Sequence, residues 1–212
     1  SYWRLCNGGS LASWNRDGIP ISIMVRCIKQ VCETLEYMYQ CCPDVVHHCD
    51  LHLGNIFLHF EDGSDVPDFY IGDFGSAKVG GQRREWDISR FGPAMESFLN
   101  RYSISAQPGP LRQMIWAVAS LNKCERDAAN GLQSRPTSLA PVIVLGDSFE
   151  SVARSIEQTT PAFQSFLELG RKRAAEILES GKNPFVYQGL PTETDDARQF
   201  GLKNIAGPWS AV

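Results

Sequence analysis

The sequence lacks the features that mark several large classes of protein. Its 212 residues contain no apolar run of the roughly 18–20 residues that a membrane span requires. They contain no run of Lys or Arg, and the net charge is -4, so we expect neither a nucleic acid nor a membrane as a partner. The chain opens at Ser1 with no initiator Met, basic segment or apolar signal core, and we expect it to begin after processing or inside a longer gene product.

Cysteine pairs of the Cys-x-x-Cys type are also absent. The seven cysteines are an odd number and Cys41 and Cys42 are adjacent, so we expect reduced thiols in the cytoplasm and no disulfide framework. Cysteines and histidines cluster between residues 41 and 49. A zinc site is not expected there, because Cys41 and Cys42 end a predicted helix and residues 45–47 are predicted to be a strand.

The residues that are present predict a mainly α fold with a small β-hairpin, that is, an α+β domain. With 43% hydrophobic residues the chain can bury one sizeable core and a small appendage. A short helix is predicted from an N-cap at Ser10 to about Asn15, and the strongest helix signal runs from about Ser22 to Gln40. A strand is predicted at residues 45–47, and the apolar segments 56–60 and 69–71 flank an acidic turn that predicts the hairpin.

Further helices are predicted after the hairpin. One starts near Asp87, and Pro93 is expected to kink it or shift its start. Others are predicted over about residues 111–122, after Thr137, and in two segments between Asp147 and Gly181. The apolar positions of those two segments are Phe149, Val152 and Ile156, then Phe163, Phe166, Leu167, Ala174, Ile177 and Leu178.

Three polar side chains have the spacing that phosphoryl transfer requires. Asp50 is followed five residues later by Asn55, and Asp73 opens the motif at residues 73–75. Such a site needs one carboxylate to accept a hydroxyl proton, and an amide and a second carboxylate to hold magnesium against the phosphates. Because short apolar segments separate the motifs, we expect all three side chains at the ends of neighbouring strands.

The order of these motifs resembles that of the large, mostly helical lobe of a eukaryotic protein kinase, over about residues 1–147. His48-Cys49-Asp50 stands where such kinases carry His-Arg-Asp, and Asp73-Phe74-Gly75 matches their magnesium-binding motif. The other three landmarks are the hinge-like segment 6–11, the helix-start motif 87–92 and the triplet 135–137. The resemblance implies a kinase-like lobe without its small lobe, followed by a helical extension and tail over residues 148–212.

The resemblance also implies roles for polar residues. Asp50 is the expected catalytic base or substrate-orienting carboxylate, and His52 and Asn55 are the other expected catalytic residues. Asn55 and Asp73 are the expected Mg²⁺ ligands, and Asp73 thereby helps to bind the ATP phosphates. Asp87 is expected to be a buried anchor that accepts hydrogen bonds from the backbone N–H groups of the catalytic loop.

Apolar and backbone groups complete the implied ATP site. Phe57 would lie under the adenine ring, and the backbone of Arg4 and Cys6 would face its polar edge. His48 and Phe74 are expected to be packing residues that stack beneath the site.

Three departures from the protein kinase pattern affect the implied function. Cys49 replaces the arginine that pairs with a phosphorylated activation loop, so that electrostatic switch is not expected. His52 replaces the lysine that reaches the transferred phosphate, and the resulting pattern is also similar to small-molecule phosphotransferases of the aminoglycoside and choline kinase type. Only eleven residues separate Gly75 from Asp87, without the Ala-Pro-Glu motif that helps to shape a peptide-binding surface.

The sequence contains no Gly-rich loop, strand lysine or partner glutamate to clamp ATP. In the family these belong to a small lobe, so we expect that lobe, or a partner chain, to be needed for ATP binding. Three functions stay open: phosphorylation of a protein Ser/Thr hydroxyl, phosphorylation of a small-molecule hydroxyl, and a non-catalytic pseudokinase scaffold.

Overall fold

A computed structural model describes residues 6–14, 18–40, 45–61, 64, 66–80, 84–99, 113–114, 117–118, 120 and 138–180. These residues are mostly helical and include two small antiparallel sheets, which confirms the expected mainly α, α+β class. All of them lie in one compact unit, Ser1–Gly181; a second unit, Lys182–Val212, lies outside the described residues. Among the helices of the described part, none combines the length and the apolar character needed to cross a membrane.

Helix α1, Ile21–Gln40, lies at the centre of the core. Met24, Ile28 and Leu35 are fully buried along one face, as the helical spacing of apolar residues predicts. Glu157 caps the helix: its two carboxylate oxygens accept hydrogen bonds from the backbone N–H groups of Ile21 and Ser22, at 3.0 and 2.8 Å. A carboxylate at this end satisfies N–H groups that have no partner inside the helix and complements the helix dipole.

In the described part of the chain, four short strands form two sheets. Strands β2, Ile56–His59, and β3, Asp68–Ile71, pair antiparallel with Ile56 opposite Ile71, which confirms the predicted hairpin. Strand β1, Val46–His47, confirms the strand predicted at residues 45–47. Its antiparallel partner is β4, Lys78–Val79, an exposed pair of residues that the sequence analysis did not predict as a strand.

Helix α2, Arg84–Leu99, begins before the expected start near Asp87 and continues through Pro93. Its positions Ile88, Phe91 and Met95 are buried, as predicted. The predicted helix over residues 111–122 lies largely outside the described residues. The positions that are described there are helical, and Met114 and Val118 are buried.

Helix α3, Ala140–Glu157, packs along α1. Its buried face contains Val142, Gly146, Phe149 and Ala153. The three apolar positions expected to share one helix, Phe149, Val152 and Ile156, all lie in α3, but Val152 and Ile156 are 48% and 61% exposed. Val152 lies off the stripe formed by positions 142, 146, 149 and 153, whereas Ile156 follows its spacing but lies at the end of the helix. The domain boundary expected at residue 147 falls inside this helix.

An ionic network ties α1, β3 and α3 together. The Arg26 guanidinium contacts Asp68 at 2.5 Å and Glu150 at 2.7 Å, and Gln30 donates a hydrogen bond to Asp68 at 2.8 Å. Burial by itself would raise the pKa of Asp68, but the hydrogen bonds from Gln30 and Arg26 outweigh it and hold that pKa below its ordinary value.

Helix α4, Pro161–Ser180, packs against the turn that follows Cys6. The ring of Phe166 lies 4.8 Å from that of Trp14, and the Arg173 guanidinium lies 4.4 Å above the Trp14 ring. Gly170 lies against the ring of Phe60. Helix α4 therefore packs back on the rest of the unit.

Candidate functional site

The segment that carries Asp50 is held by one buried carboxylate. Asp87, in the first turns of α2, is fully buried. Its Oδ2 accepts hydrogen bonds from the backbone N–H of His48 at 2.9 Å and from the Tyr39 hydroxyl at 3.0 Å, and its Oδ1 accepts one from the N–H of Cys49 at 2.7 Å. These three donors replace the water that the carboxylate loses on burial. The expectation that Asp87 anchors this loop is confirmed.

The anchored backbone includes an uncommon conformation. Cys49 has a φ of 63°, in the left-handed region that residues with a Cβ seldom adopt. The hydrogen bond from its N–H to Asp87 holds the chain in this turn. The next side chain, Asp50, emerges into solvent and is 38% exposed. Backbone strain that the surrounding structure maintains is frequent at functional loops.

The buried ring of His48 connects this loop to the segment after β3. Its Nδ1 accepts a hydrogen bond from the backbone N–H of Asp50 at 3.3 Å, so the proton of the neutral ring is on Nε2, which donates to the carbonyl of Gly72 at 2.8 Å. Phe74 contacts the same ring edge-on, with centroids 4.8 Å apart. His48 and Phe74 therefore pack together, as expected.

Asn55 joins the same two segments by a second route. Its side-chain Nδ2 donates a hydrogen bond to the backbone carbonyl of Asp50 at 2.9 Å, and its backbone carbonyl accepts one from the N–H of Gly72 at 2.9 Å. A backbone carbonyl can only accept, so the amide NH₂ must face Asp50. The carbonyl oxygen Oδ1 of the side chain then faces away from that bond, and no donor among the described residues bonds to it.

Asp73 directly follows Gly72, whose N–H and carbonyl are hydrogen-bonded to Asn55 and His48. It also has a left-handed backbone, with φ 59° and ψ 69°. Its exposed carboxylate accepts a long hydrogen bond, 3.4 Å, from the N–H of Gly75. The structure thus brings the backbones of Asp50, Asn55 and Asp73 together through direct hydrogen bonds and the one-residue link at Gly72.

The donor set fits a hard divalent cation. The amide oxygen of Asn55 and the carboxylate of Asp73 are oxygen ligands of the kind that Mg²⁺ prefers, and Mg²⁺ commonly takes its other ligands from water and phosphate. Within the described ranges, no three His, Cys, Asp or Glu side chains form a group that could hold a metal. Asn55 and Asp73, the ligands expected from the sequence, offer two side-chain oxygen donors.

Both oxygens of the Asp50 carboxylate have a basic neighbour. Oδ1 lies 2.5 Å from Nη1 of Arg90, and Oδ2 lies 3.8 Å from Nε2 of His52. Nδ1 of His52 accepts a hydrogen bond from the N–H of Gly54, so Nε2 is the nitrogen that faces Asp50. The sequence analysis placed His52 beside Asp50 and missed Arg90. The available signal was its position three residues after Asp87, on the same face of α2.

The hinge-like segment runs beside β2. The N–H of Gly8 donates to the Leu58 carbonyl and the N–H of Leu58 donates to the Gly9 carbonyl, both at 2.9 Å. A Cβ on Gly8 would lie 2.7 Å from Cβ of Leu58, so this approach requires glycine. The predicted helix after Ser10 is a single 3₁₀ turn, Leu11–Ser13, and the Ser10 side chain makes no capping hydrogen bond.

The residues expected around adenine are placed as follows. Cys6 is buried, Phe57 is half-buried in β2, and Arg4 lies outside the described residues. The Phe57 ring is packed so closely on Gly72 that a Cβ there would lie 2.7 Å from the ring. Phe57 therefore borders the segment that leads directly into Asp73.

Comparison of the chain with protein-family models and with curated proteins finds no match. The residues and the geometry described above are therefore the basis for any functional assignment.

Proposed function

We propose that this chain is the large lobe of a protein kinase-like phosphotransferase, which transfers the γ-phosphate of ATP to a Ser or Thr hydroxyl of a protein. The observation that carries the proposal is the anchoring of the loop at His48 and Cys49 by the buried carboxylate of Asp87. The sequence resemblance predicts this contact between segments almost forty residues apart. Its presence supports the alignment of the other motif residues, Asp50, Asn55 and Asp73.

In the proposed reaction Asp50 receives a proton. The substrate hydroxyl oxygen attacks the γ-phosphorus, and its proton passes to the Asp50 carboxylate. The bond between the γ-phosphorus and the bridging oxygen breaks, and ADP leaves with the electron pair. Oδ1 of Asp50 is engaged by Arg90, so Oδ2 is the oxygen that faces an incoming hydroxyl. The partial exposure of Asp50 allows a hydroxyl to approach.

Asn55 and Asp73 are the residues that would hold Mg²⁺. When bound there, the ion supplies charge neutralisation for the ATP phosphates. Asn55 contributes Oδ1, because its Nδ2 is committed to the Asp50 carbonyl. The same hydrogen bond fixes the spacing between the proposed base and the proposed metal ligand.

The test is phosphate transfer by the full-length natural gene product and two variants. Asp50→Asn and Asp73→Asn should each lower kcat by at least about 10²-fold, since loss of a positioned base typically costs about 10²–10⁴ in rate. Glu168→Gln, which removes an exposed carboxylate on α4, is the matched control and should leave the rate unchanged. Undiminished turnover in either site variant would overturn the assignment.

A small-molecule kinase is the second candidate, and one observation favours it. His52 is 52% exposed beside Asp50, at a position where protein kinases carry lysine. The same preparations should therefore be assayed with choline and with an aminoglycoside. Phosphorylation of either compound, without phosphorylation of any protein, would identify a small-molecule hydroxyl and not a protein hydroxyl as the phosphate acceptor. Failure of every variant and wild type to bind Mg-ATP would instead favour the scaffold function.

A further inference from the structure

A cation that none of the recognised motifs assigns lies in direct contact with the proposed base. The Arg90 guanidinium pairs with Oδ1 of Asp50 at 2.5 Å and is 54% exposed. Among the described residues, Asp50 is the only hydrogen-bond or ion-pair partner of the Arg90 guanidinium. A guanidinium has five N–H donors in a planar fork, so most of them remain available to a second anion.

We propose that Arg90 is the phosphate-binding cation of this site. Protein kinases carry a lysine at the position of His52, and Arg90 supplies the positive charge of that lysine. This rests on the proposed phosphotransferase function. In that role the guanidinium contacts Asp50 with one nitrogen and an oxygen of the transferred phosphoryl group with another. Arg90 is then a catalytic residue, because it touches the reacting phosphate.

The electrostatic argument starts from the two anions that must meet. The Asp50 carboxylate and the phosphoryl oxygens repel each other unless a cation lies between them. An imidazole carries a full positive charge only when it is protonated, whereas a guanidinium is charged at every working pH. Of the two basic neighbours of Asp50, Arg90 therefore supplies the permanent charge, and its fork geometry suits two oxygen acceptors at once.

The position of Arg90 is fixed by the same contacts that fix the loop. Arg90 lies three residues after Asp87 on α2, and Asp87 binds the N–H groups of His48 and Cys49. The flanking residues Ile88 and Phe91 are buried, which holds this part of α2 against the core. The core thus fixes the backbone position from which the Arg90 side chain extends toward Asp50.

The proposal is tested in the full-length natural product by moving the positive charge from residue 90 to residue 52. Arg90→Gln should lower kcat by about 10²–10³-fold, the usual loss for one electrostatic donor to a transition state, with a smaller change in KM for ATP. His52→Lys should restore most of that rate when combined with Arg90→Gln, because it returns a permanent charge to the neighbouring position. A double variant as slow as Arg90→Gln alone would overturn the proposal and leave Arg90 a positioning residue for Asp50.

Two further variants separate charge from folding. Arg90→Lys keeps the charge and should retain more activity than Arg90→Gln. Arg171→Gln removes an exposed arginine from α4 and should behave as wild type. Equal losses in Arg90→Lys and Arg90→Gln, at unchanged thermal stability, would contradict a role based on charge.

A binding measurement makes the inference independent of turnover. Inorganic phosphate titrated into the 212-residue chain should shift the guanidinium resonances of Arg90 and the ring resonances of His52 in a saturable way, and chloride at equal ionic strength should not. Arg90→Gln should abolish the shift at His52. Absence of any shift in the wild type would overturn the inference. A normal shift in a full-length protein that transfers no phosphate would instead refute the proposed function and retain Arg90 as an anion-binding residue.

Discussion

Among single side chains of the described part, Asp87 makes the most hydrogen bonds to the loop that carries Asp50. Asp87→Asn should lower the free energy of unfolding by about 2–4 kcal/mol, because an amide NH₂ would then face buried N–H donors in place of an acceptor. Urea unfolding followed by circular dichroism measures this. Tyr39→Phe removes a single donor and should cost about 1 kcal/mol. A smaller loss in Asp87→Asn than in Tyr39→Phe would contradict the anchoring role.

Asp68 should make stability depend on pH. Its pKa is lowered in the folded state, because the hydrogen bonds from Gln30 and Arg26 outweigh the effect of burial. Its contribution to stability is therefore fully present above the unfolded-state pKa of 3.8 and is lost as pH falls through the lower folded-state pKa. At pH 6, Asp68→Asn should be less stable than wild type by about 1–2 kcal/mol, the usual worth of hydrogen bonds to a charged group. The difference should shrink below pH 4, and thermal melts between pH 3 and pH 7 would show it. A difference that stays constant across this range would contradict the assignment.

At the scale of secondary-structure elements, α4 depends on a glycine. A Cβ on Gly170 would lie 2.1 Å from the Phe60 ring. That ring has little room to move, because the Trp14 and Phe166 rings lie 6.1 and 6.3 Å from it, and hydrogen bonds between its backbone and the Asn7 side chain hold the residue in place. Gly170→Ala should therefore destabilise the fold by about 1–3 kcal/mol through overpacking, although alanine is the better helix former by about 1 kcal/mol.

The control for this prediction is Ser165→Ala, an alanine substitution at an exposed position of the same helix. It should be neutral or slightly stabilising. Phe60→Leu makes room at the contact, so the double variant with Gly170→Ala should lose less stability than the sum of the two single losses. Additive losses would show that the clash with Phe60 is not the cause.

Elements whose signal is local could be predicted from sequence, and those chosen by distant contacts could not. Helix α1 and the β2–β3 hairpin carry apolar periodicity within their own residues. By contrast, Phe149, Val152 and Ile156 also have helical spacing, yet contact with α1 buries only the first of them. Strand β4 consists of two exposed residues and has no pattern of its own; pairing with β1 defines it.

The residues of the candidate site also divide into those with a local sequence signal and those defined by distant contacts. Asp50, Asn55, Asp73 and Asp87 could be placed because each belongs to a motif with characteristic spacing. For Arg90, the position three residues after Asp87 indicates a face of α2 but not the partner of its side chain. Its contact with Asp50 depends on Asp87, 38 residues from Cys49 in sequence, which holds α2 against the loop. Ion pairs of this kind are a property of the assembled fold.

At the scale of the whole molecule, the described residues contain a proposed base, two proposed metal ligands and a hinge-like segment, but no Gly-rich loop or lysine to clamp the ATP phosphates. Positioning supplies much of the advantage in phosphoryl transfer, so these parts alone should bind Mg-ATP weakly or not at all. We expect no measurable thermal stabilisation of the 212-residue chain by millimolar Mg-ATP.

A protein in which an upstream segment or a partner chain supplies the clamp should behave differently. At a ligand concentration 100-fold above Kd, binding stabilises the native state by about 2.7 kcal/mol, which corresponds to a rise in Tm of roughly 5–10 °C for a protein of about 150–250 residues and to a smaller rise for a longer one. Asp73→Asn should abolish most of that rise, because it removes the carboxylate that would hold the metal against the phosphates. Stabilisation of the 212-residue chain by micromolar Mg-ATP would contradict the need for a second lobe. The ATP-binding surface would then have to be sought entirely among β2, the hinge-like segment and the loop anchored by Asp87.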